Sequence, residues 1–211
     1  MLAIIQARCN SKRFRNKVLS NFLQKPIIQH VVENVKKTKK IRKVIVATSK
    51  NKTDDKLVKY LKKKKINFYR GSHLNVAERL YQVAKKNKFK FFIRINADSP
   101  LISPKIIDDL IILYNSKKRN YDLITNIFPR TFPKGQSVEI IKTNILKKNL
   151  KFFNADDKEH VTKFFYKNFK NFSILNLRNE SKKKIINMSV DEKKDLKFLE
   201  KKFKKKLIDE N

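Results

Sequence analysis

The sequence lacks several residues that would mark particular protein classes. Cys9 is the one cysteine among 211 residues, so no internal disulfide can form, and no cysteine–histidine cluster is spaced to hold zinc. Tryptophan is absent, and glycine occurs only at Gly71 and Gly135. No apolar run reaches the ~18 residues that a membrane-spanning helix requires. These absences exclude a disulfide-stapled secreted scaffold and a membrane-spanning protein.

The amino-terminal segment also lacks the pattern of a signal peptide. The apolar stretch from Met1 to Gln6 is short, and no basic leader precedes it. Together with the single cysteine, this predicts a protein of the reducing cytoplasm. At ~150 residues per domain, the length predicts a single domain over residues 1–211, with room for one additional segment that extends from it.

Acidic residues are scarce: 19 Asp and Glu stand against 53 Lys and Arg, which gives a formal net charge of +34. Such a charge is typical of proteins that bind phosphate groups, including nucleic acids. The alternative is compositional drift, because Lys, Asn, Ile and Phe have A/T-rich codons and are all abundant here. Drift explains the preference for Lys over Arg, but it leaves the scarcity of acids unexplained. A basic nucleic-acid-binding protein is therefore the alternative function to be weighed.

The first ~125 residues alternate between short, continuously apolar strands and amphipathic helices. This order predicts an α/β fold with an open, mostly parallel sheet and helices on both faces. The predicted strands are 2–6, 44–47, 66–69, 89–95 and 121–125, and the predicted helices are 26–37, 54–64, 76–86 and 104–114.

The later part of the chain is less regular. A loop with Pro and Gly over residues 128–135 separates it from the alternating part. The apolar patterns beyond it predict further strands at 137–142, 172–177 and 185–190 and helices at 143–152, 158–169 and 192–207.

The loop after the first strand is the strongest candidate ligand site. In open parallel sheets ligands bind beyond the carboxyl ends of the strands, which here follow Gln6, Thr48 and Ile95. Backbone N–H groups and cations at such a turn form a cradle for phosphate. A basic surface loop is the alternative, and the spacing of a P-loop is absent. Five cations crowd this loop: Arg8, Lys12, Arg13, Arg15 and Lys17.

Two aspartates follow apolar strands and could hold a metal ion. Asp98 ends the strand before Pro100, and Asp191 follows the apolar stretch that ends at Val190. Mg²⁺ usually takes one or two carboxylates together with phosphate oxygens and water. The alternatives are that Asp98 caps a turn and that Asp191 caps the helix after it. The sequence does not show whether the two aspartates meet.

Five motifs occur in a familiar order: Ala7–Arg8 through Lys17, Arg70–Gly71–Ser72, Arg94 through Ile102, Glu159–His160–Val161–Thr162, and Val190–Asp191. In this respect the chain resembles the sugar cytidylyltransferases. It is closest to the acylneuraminate cytidylyltransferase family, in its spore coat polysaccharide biosynthesis branch, and is similar to 3-deoxy-manno-octulosonate cytidylyltransferase. The resemblance covers nearly the whole chain. It implies a Rossmann-like nucleotide-diphospho-sugar transferase fold.

The resemblance also implies an activity: transfer of CMP from CTP to the hydroxyl of a small sugar, sialic-acid-like or from another surface polysaccharide, with release of pyrophosphate. The implied catalytic residues are Arg8, Lys17 and Asp98, and Asp98 and Asp191 would bind Mg²⁺. The residues implied in nucleotide binding are Ala7, Arg8, Asn10, Ser11, Lys12, Lys17, Arg70 and Arg79. Those implied on the sugar side are Arg130, Gln136, Glu139, Glu159 and His160. A homodimer formed through about residues 126–169 is expected, with neither a specific nucleic acid nor a membrane span.

The sequence departs from the family pattern at two places. The usual Pro-Gly-Lys of the phosphate loop is Arg15-Asn16-Lys17, where Asn tolerates the left-handed conformation better than most residues. The usual Gly-Leu-Asp-Val-Glu begins here with Gly135 and ends with Glu139, and it has lost an acid. The second change leaves the sugar open. The altered loop motivates a further alternative, a catalytically weakened member that binds nucleotide.

Overall fold

A computed structural model describes residues 1–11, 13–117, 120–180 and 186–208, the last four as backbone only. Lys12, predicted to bind phosphate, lies outside the described residues. The strands are β1 Leu2–Gln6, β2 Asn21–Phe22, β3 Lys25–Pro26, β4 Lys43–Ser49, β5 Phe68–Gly71, β6 Phe91–Asn96, β7 Leu123–Thr125, β8 Glu139–Lys142 and β9 Ile174–Asn176. The helices are α1 Ile27–Lys36, α2 Asp55–Lys63, α3 Val76–Lys86, α4 Pro104–Ser116, α5 Thr143–Asn149, α6 Ala155–Glu159, α7 Lys163–Lys167 and α8 Lys193–Ile208. Within the described ranges, no helix has both the length and the apolar character needed to cross a bilayer.

Seven strands form the central sheet in the order β5-β4-β1-β6-β8-β7-β9. The pairs among β5, β4, β1 and β6 are parallel, as is the pair of β7 and β9. β8 pairs antiparallel with both β6 and β7, so it is the reversed strand among these seven. The predicted open, mostly parallel sheet is confirmed. The reversal of β8 brings its first residue, Glu139, to the edge where the other strands end.

Helices cover both faces of the sheet, as predicted. Side chains of a strand alternate between faces, and in β1 Ala3 and Ile5 pack with α1, α2 and α4, whereas Leu2 and Ile4 pack with α3, α5 and α7. All four side chains are fully buried. Burial on both faces explains why the strands are continuously apolar.

A third, smaller apolar cluster joins the end of the chain to its beginning. Phe14, from the loop after β1, packs with Phe22 of β2 and with Ile27 at the start of α1. Val190 and Leu199 complete the cluster from the carboxyl-terminal part of the chain. Helix α8 is therefore held against the predicted phosphate loop by side chains outside the two main cores.

Two predictions for the later part of the chain are wrong. Residues 186–190 form no strand; their backbone instead bonds to two separate segments, Met188 N to Lys134 O at 2.8 Å and Val190 N to Asp98 O at 2.9 Å. The predicted helix 158–169 is interrupted after Glu159, because the chain turns there to bury Val161 completely. The short hairpin of β2 and β3 was not predicted.

Candidate active site

The site lies where the neighbouring strands β4, β1 and β6 end. The residue after β1 continues the sheet bonding, since Ala7 N donates to Ala47 O at 3.1 Å and Ala97 N donates to Gln6 O at 3.1 Å. The loop after β1 and Asp98, two residues beyond β6, are consequently neighbours. The parallel order of these strands thus produces the juxtaposition at their carboxyl ends.

Lys17 joins the two predicted metal-binding aspartates. Its Nζ lies 3.2 Å from Asp98 Oδ2 and 3.5 Å from Asp191 Oδ1. The Lys17 side chain is 10% exposed, and the two carboxylates are about a third exposed. Arg13 adds a second cation, 3.4 Å from Asp191 Oδ1. The two aspartates, 93 positions apart in the sequence, therefore lie within reach of a single cation.

The backbone explains how Asp191 reaches this position. The bond from Val190 N to Asp98 O holds the residue before Asp191 against Asp98 itself. Asp195 accepts bonds from Asp191 N at 2.9 Å and from Glu192 N at 2.8 Å, so it satisfies the N–H groups that precede α8. Because Asp195 carries out the capping, the Asp191 carboxylate is left to face Lys17 and Arg13.

The turn before Lys17 has the conformation that the sequence predicts. Asn16 adopts φ = 56°, in the left-handed region that Asn tolerates and Gly prefers. The Cys9 carbonyl closes the loop by accepting Ser11 N at 3.0 Å and Asn16 N at 2.9 Å. A 3₁₀ turn over Lys17–Leu19 follows and buries Lys17. Replacement of the usual glycine by Asn16 therefore preserves the turn.

The donors at the site suit a hard divalent cation that also binds phosphate. Asp98 and Asp191 offer carboxylate oxygens, and Mg²⁺ commonly takes two of these and completes its shell with phosphate oxygens and water. In the described part of the chain, no group of three or more His, Cys, Asp or Glu could hold a metal ion. The residues thus fit a metal that arrives with an anionic ligand, and they do not form an all-protein metal cage.

Arg8 pairs with Glu159 across the site. Arg8 Nη2 lies 2.5 Å from Glu159 Oε1, and each side chain is about a third exposed. Arg8 was predicted on the phosphate side and Glu159 on the sugar side, so the structure brings these two sets of residues into contact. The neighbouring exposed Asn10 and half-buried Ser11 complete the described part of the loop tip.

The other two predicted nucleotide contacts, Arg70 and Arg79, bind the protein itself. Arg70 donates to Ser49 O at 2.9 Å and pairs with Asp55 at 2.7 Å. Arg79 is 2% exposed and donates to Ser72 O at 2.6 Å. Burial, and then the charge of Arg8, lower the pKa of Arg79 to about 10.

Arg79 retains one donor without a partner. Its Nε is buried and makes no hydrogen bond among the contacts of the described residues.

Two of the predicted sugar-side residues are buried in internal networks. Glu139 is 1% exposed; it forms an ion pair with Arg94 and accepts a bond from the Tyr166 hydroxyl at 2.6 Å. Burial and the Glu139 charge raise the pKa of Tyr166 well above its usual value. Gln136 is 4% exposed, accepts from Ser103 N at 2.9 Å and donates to Leu101 O at 2.6 Å.

The remaining sugar-side residues lie at the surface. Arg130 is exposed and donates to Ser137 Oγ at 3.2 Å. His160 follows α6, and its exposed ring lies 3.7 Å from Asp156. The structure therefore gathers Arg8, Lys17, Asp98, Asp191 and Glu159 at one edge, whereas the other predicted sugar-side residues differ widely in exposure.

Sequence reasoning missed Asp54. Because an acid just before an amphipathic helix is a common helix start, nothing in the sequence separates Asp54 from an ordinary cap. Its fully buried carboxylate makes no cap bond to α2 and instead accepts Cys9 N at 2.6 Å. Burial, and then the Asp54 charge, raise the pKa of the Cys9 thiol to about 11, which makes it a poor nucleophile.

Comparison with known proteins identifies the family to which this chain belongs. A family model described as Cytidylyltransferase matches residues 2–210. The chain belongs to the cytidylyltransferase family. It is accordingly a nucleotidyl-transferring enzyme, and the prediction of a cytidylyltransferase is confirmed. The acylneuraminate branch is a narrower assignment than this match supports.

Three curated proteins show how far the similarity of this cytidylyltransferase to its relatives extends. It is 33% identical over 203 residues to the uncharacterized protein MJ1063 of Methanocaldococcus jannaschii, covering 94% of this chain and 81% of the relative. It is 30% identical to the spore coat polysaccharide biosynthesis protein SpsF of Bacillus subtilis, with coverages of 77% and 68%. A 3-deoxy-manno-octulosonate cytidylyltransferase of Geobacter sulfurreducens is 32% identical over 111 residues, which is 52% of this chain and 43% of that enzyme.

A solved structure confirms the predicted fold of the cytidylyltransferase. A cytidylyltransferase from Leptospira borgpetersenii superimposes with a TM-score of 0.90 at 27% identity. The match covers 96% of this chain and 85% of the solved one. The Rossmann-like nucleotidyltransferase architecture implied by the resemblance therefore holds along nearly the whole chain.

Proposed function

We propose that this cytidylyltransferase transfers CMP from CTP to a hydroxyl of a small sugar, yielding the CMP-sugar and pyrophosphate. The observation that carries the proposal is the position of Lys17, whose ammonium contacts Asp98 and Asp191 beside the loop after β1. Cations for a triphosphate and carboxylates for a metal ion thus occupy one edge of the sheet. Nucleotidyl transfer needs these two groups together.

The cations of the loop would bind the triphosphate. Arg8 and Lys17 would neutralise negative charge on the phosphates, and chiefly on the departing pyrophosphate, because that charge grows in the transition state. Ala7 N and Ser11 N already donate to Ala47 O and Cys9 O, so the further donors at the loop tip would be the Asn10 N–H and the Ser11 hydroxyl. Arg70 and Arg79 border the same edge through the loops that they hold. The sequence adds Lys12 to this set.

Asp98 and Asp191 would hold Mg²⁺. When bound, the ion would supply positive charge to the phosphate oxygens and thereby favour attack at phosphorus. The alternative of a catalytically weakened chain would be favoured by a wide separation of these two aspartates. Their shared contact with Lys17 favours an active enzyme.

In the proposed reaction, the sugar hydroxyl oxygen attacks the α-phosphorus in line. A new O–P bond forms as the bond from the α-phosphorus to the bridging oxygen breaks, pyrophosphate leaves with that electron pair, and the hydroxyl proton is released. No covalent enzyme intermediate is required, so the buried thiol of Cys9 has no step. The contact of His160 with Asp156 favours a structural role for that histidine over a general base.

The acceptor is proposed to be a sugar of a surface polysaccharide, such as a sialic-acid-like sugar acid. The names of two relatives, one acting on 3-deoxy-manno-octulosonate and one in spore coat polysaccharide biosynthesis, support this class. Arg130 has an exposed guanidinium suited to a sugar carboxylate. Glu159, next to Arg8, would lie between the sugar and the triphosphate.

Pyrophosphate release tests this proposal. The enzyme is incubated with CTP, Mg²⁺ and a panel of sugar acids and neutral sugars, and we expect release with at least one acceptor. Asp98→Ala should abolish release, by a factor of about 10³ or more, since it removes a group needed in the transition state. Asp109→Ala is the matched control, because Asp109 pairs only with Lys105 among the described contacts, at the surface of α4. Failure to bind any nucleotide would refute the proposal.

We also propose that the enzyme dimerises through residues 126–169. This segment exposes two large aromatic side chains, Phe152 at 62% and Phe169 at 50%. Exposed aromatics of this size are typical of interface cores. Light scattering should give twice the 25.1 kDa chain mass, and a monomer at working concentration would contradict the proposal.

A further inference from the structure

The buried carboxylate of Asp54 has no place in the mechanism above, although it lies directly beneath the phosphate loop. Its side chain is fully buried, and it comes from the 3₁₀ turn Lys52–Asp54 that follows β4. An ionised carboxylate is rarely buried unless several donors compensate it. The identity of its donors therefore shows what this carboxylate is for.

Asp54 accepts hydrogen bonds from two segments that are distant in the sequence. Its Oδ1 accepts Cys9 N at 2.6 Å, and its Oδ2 accepts Ser49 N at 3.1 Å and a short bond from the Ser49 hydroxyl. Cys9 belongs to the phosphate loop and Ser49 ends β4. Bonds from N–H or O–H groups to a charged acceptor are about twice as strong as neutral ones. The carboxylate thus ties the phosphate loop to the end of the neighbouring strand.

The backbone N–H and C=O groups of Cys9 both take part in the bonds that hold the phosphate loop. Its N–H is held by Asp54, and its carbonyl accepts Ser11 N and Asn16 N. Arg8 immediately precedes this point, and Lys17 immediately follows Asn16. Fixing both polar groups of Cys9 consequently fixes the starting and closing points of the loop that presents both catalytic cations.

Asp54 also supplies charge where the site has an excess of cations. Arg79 is 2% exposed and forms no ion pair with a carboxylate among the described contacts. The charge of Arg8 lowers the pKa of Arg79, and the charges of Asp54 and Glu159 raise it. Without the Asp54 charge, the buried guanidinium of Arg79 would face Arg8 with less compensation. The carboxylate therefore stabilises the cationic edge electrostatically as well as by hydrogen bonds.

We propose that Asp54 is a positioning residue for nucleotidyl transfer: by holding the Cys9 N–H, it fixes the loop that binds the β- and γ-phosphates of CTP. This inference rests on the proposed function, because it assumes that the loop binds a triphosphate. It assigns Asp54 no direct contact with substrate. Its loss should weaken the recognition of the terminal phosphates more than that of the nucleoside part.

The test compares the affinities of the full-length enzyme for CTP and CMP, measured by calorimetry with Mg²⁺ present. Asp54→Asn keeps the size of the side chain but loses its charge and places an NH₂ group among N–H and O–H donors. We expect CTP binding to weaken by about tenfold or more, as for the loss of charged hydrogen bonds, with CMP binding changed by less than about threefold. Asp109→Asn makes the same charge change at a partly exposed position of α4 and should leave both affinities unchanged.

The outcomes separate the inference from the proposed function. Equal weakening of CTP and CMP in Asp54→Asn, or no weakening, would overturn the positioning role while CTP binding by the parent enzyme still supports the proposed function. Failure of the parent enzyme to bind CTP would refute the proposed function itself. Ser49→Ala, which removes one donor and leaves the Cys9 bond, should weaken CTP selectively by a smaller factor.

Hydrogen exchange gives a test that does not depend on whether Asp54→Asn folds. In the parent enzyme, the Cys9 amide should exchange far more slowly than the amide of exposed Asn10 beside it. Equal exchange rates would contradict the anchoring bond.

Discussion

The proposed phosphate side and the proposed sugar side of the site are built in different ways. On the phosphate side, Arg8, Asp98 and Asp191 are each about a third exposed. Lys17 pairs with both aspartates, and Arg8 pairs with Glu159. On the sugar side, Glu139 is buried in a network that joins strands to helices. A charged residue at a strand end can therefore bind a ligand only when other protein groups do not already bury and pair its charge.

The largest effect should come from removing Glu139. Glu139→Ala leaves the guanidinium of Arg94, which is 9% exposed, without its carboxylate, and breaking a buried pair costs about 3–5 kcal/mol. Urea denaturation should show that loss in the free energy of unfolding. Arg130→Ala, at an exposed position of the same side, should change it by less than about 0.5 kcal/mol. Equal stability of the two variants would remove the contrast between buried and open sugar-side residues.

Gln136 should give the next largest effect. It spans the loop before α4 and the segment before Asp191 by donating to Leu101 O at 2.6 Å and to Met188 Sδ at 3.2 Å. Gln136→Ala leaves the half-buried backbone groups Leu101 C=O and Ser103 N–H without their Gln136 partner, which costs about 2 kcal/mol. Thermal unfolding monitored by circular dichroism should show a lower melting temperature. An unchanged melting temperature would contradict the structural role of Gln136 and would favour a role in ligand binding alone.

A substitution of Lys17, on the proposed phosphate side, should change ligand binding more than it changes the stability of the fold. Lys17 and Arg13 together balance the charges of Asp98 and Asp191, so a divalent cation meets little net negative charge there. Lys17→Met should therefore raise the affinity for Mn²⁺ in the absence of nucleotide by about tenfold, or about 1.4 kcal/mol. Electron paramagnetic resonance of free Mn²⁺ measures this affinity directly.

Lys25→Met is the control for that measurement, since Lys25 pairs with Glu33 at 3.0 Å on the surface and should leave Mn²⁺ binding unchanged. If Lys17→Met binds Mn²⁺ no better than the parent enzyme, the two carboxylates do not form the proposed metal site.

The smallest effect concerns the turn that presents Lys17. Asn16→Val places a β-branched residue at φ = 56°, which costs about 1 kcal/mol relative to Asn, whereas Asn16→Gly should be close to neutral. The midpoint of urea unfolding should therefore be lower for Asn16→Val than for Asn16→Gly. Similar midpoints would show that the loop can adopt another conformation.

The alternating half of the chain could be predicted because its local and tertiary signals agree. Strands such as β1 are apolar on both faces, and the helices between them have one apolar face, so the parallel sheet and its ligand edge follow from the pattern. The same rule predicted Asp98 and the loop that ends at Lys17. It could not predict that Asp191 would join them, since that meeting depends on backbone bonds between distant segments.

The later half resisted prediction for physical reasons. Residues 186–190 have the apolar alternation of a strand, but they bond to Lys134 and Asp98 in place of a neighbouring strand. The turn after α6 is driven by burial of Val161, which no local propensity reveals. Among the site residues, Asp54 was missed because a buried anchor and a helix cap share the same sequence pattern.

Gly135 has a consequence for any attempt to change the acceptor sugar. It adopts φ = 87°, and a Cβ there would lie 2.3 Å from the Met188 carbonyl carbon, so two stretches of main chain cross in direct contact. One stretch leads into Glu139 on the proposed sugar side, and the other continues to Asp191 on the proposed phosphate side. If the proposed assignments hold, acceptor preference and metal binding cannot be changed independently, because a side chain introduced at this crossing would displace the carboxylate three residues beyond Met188.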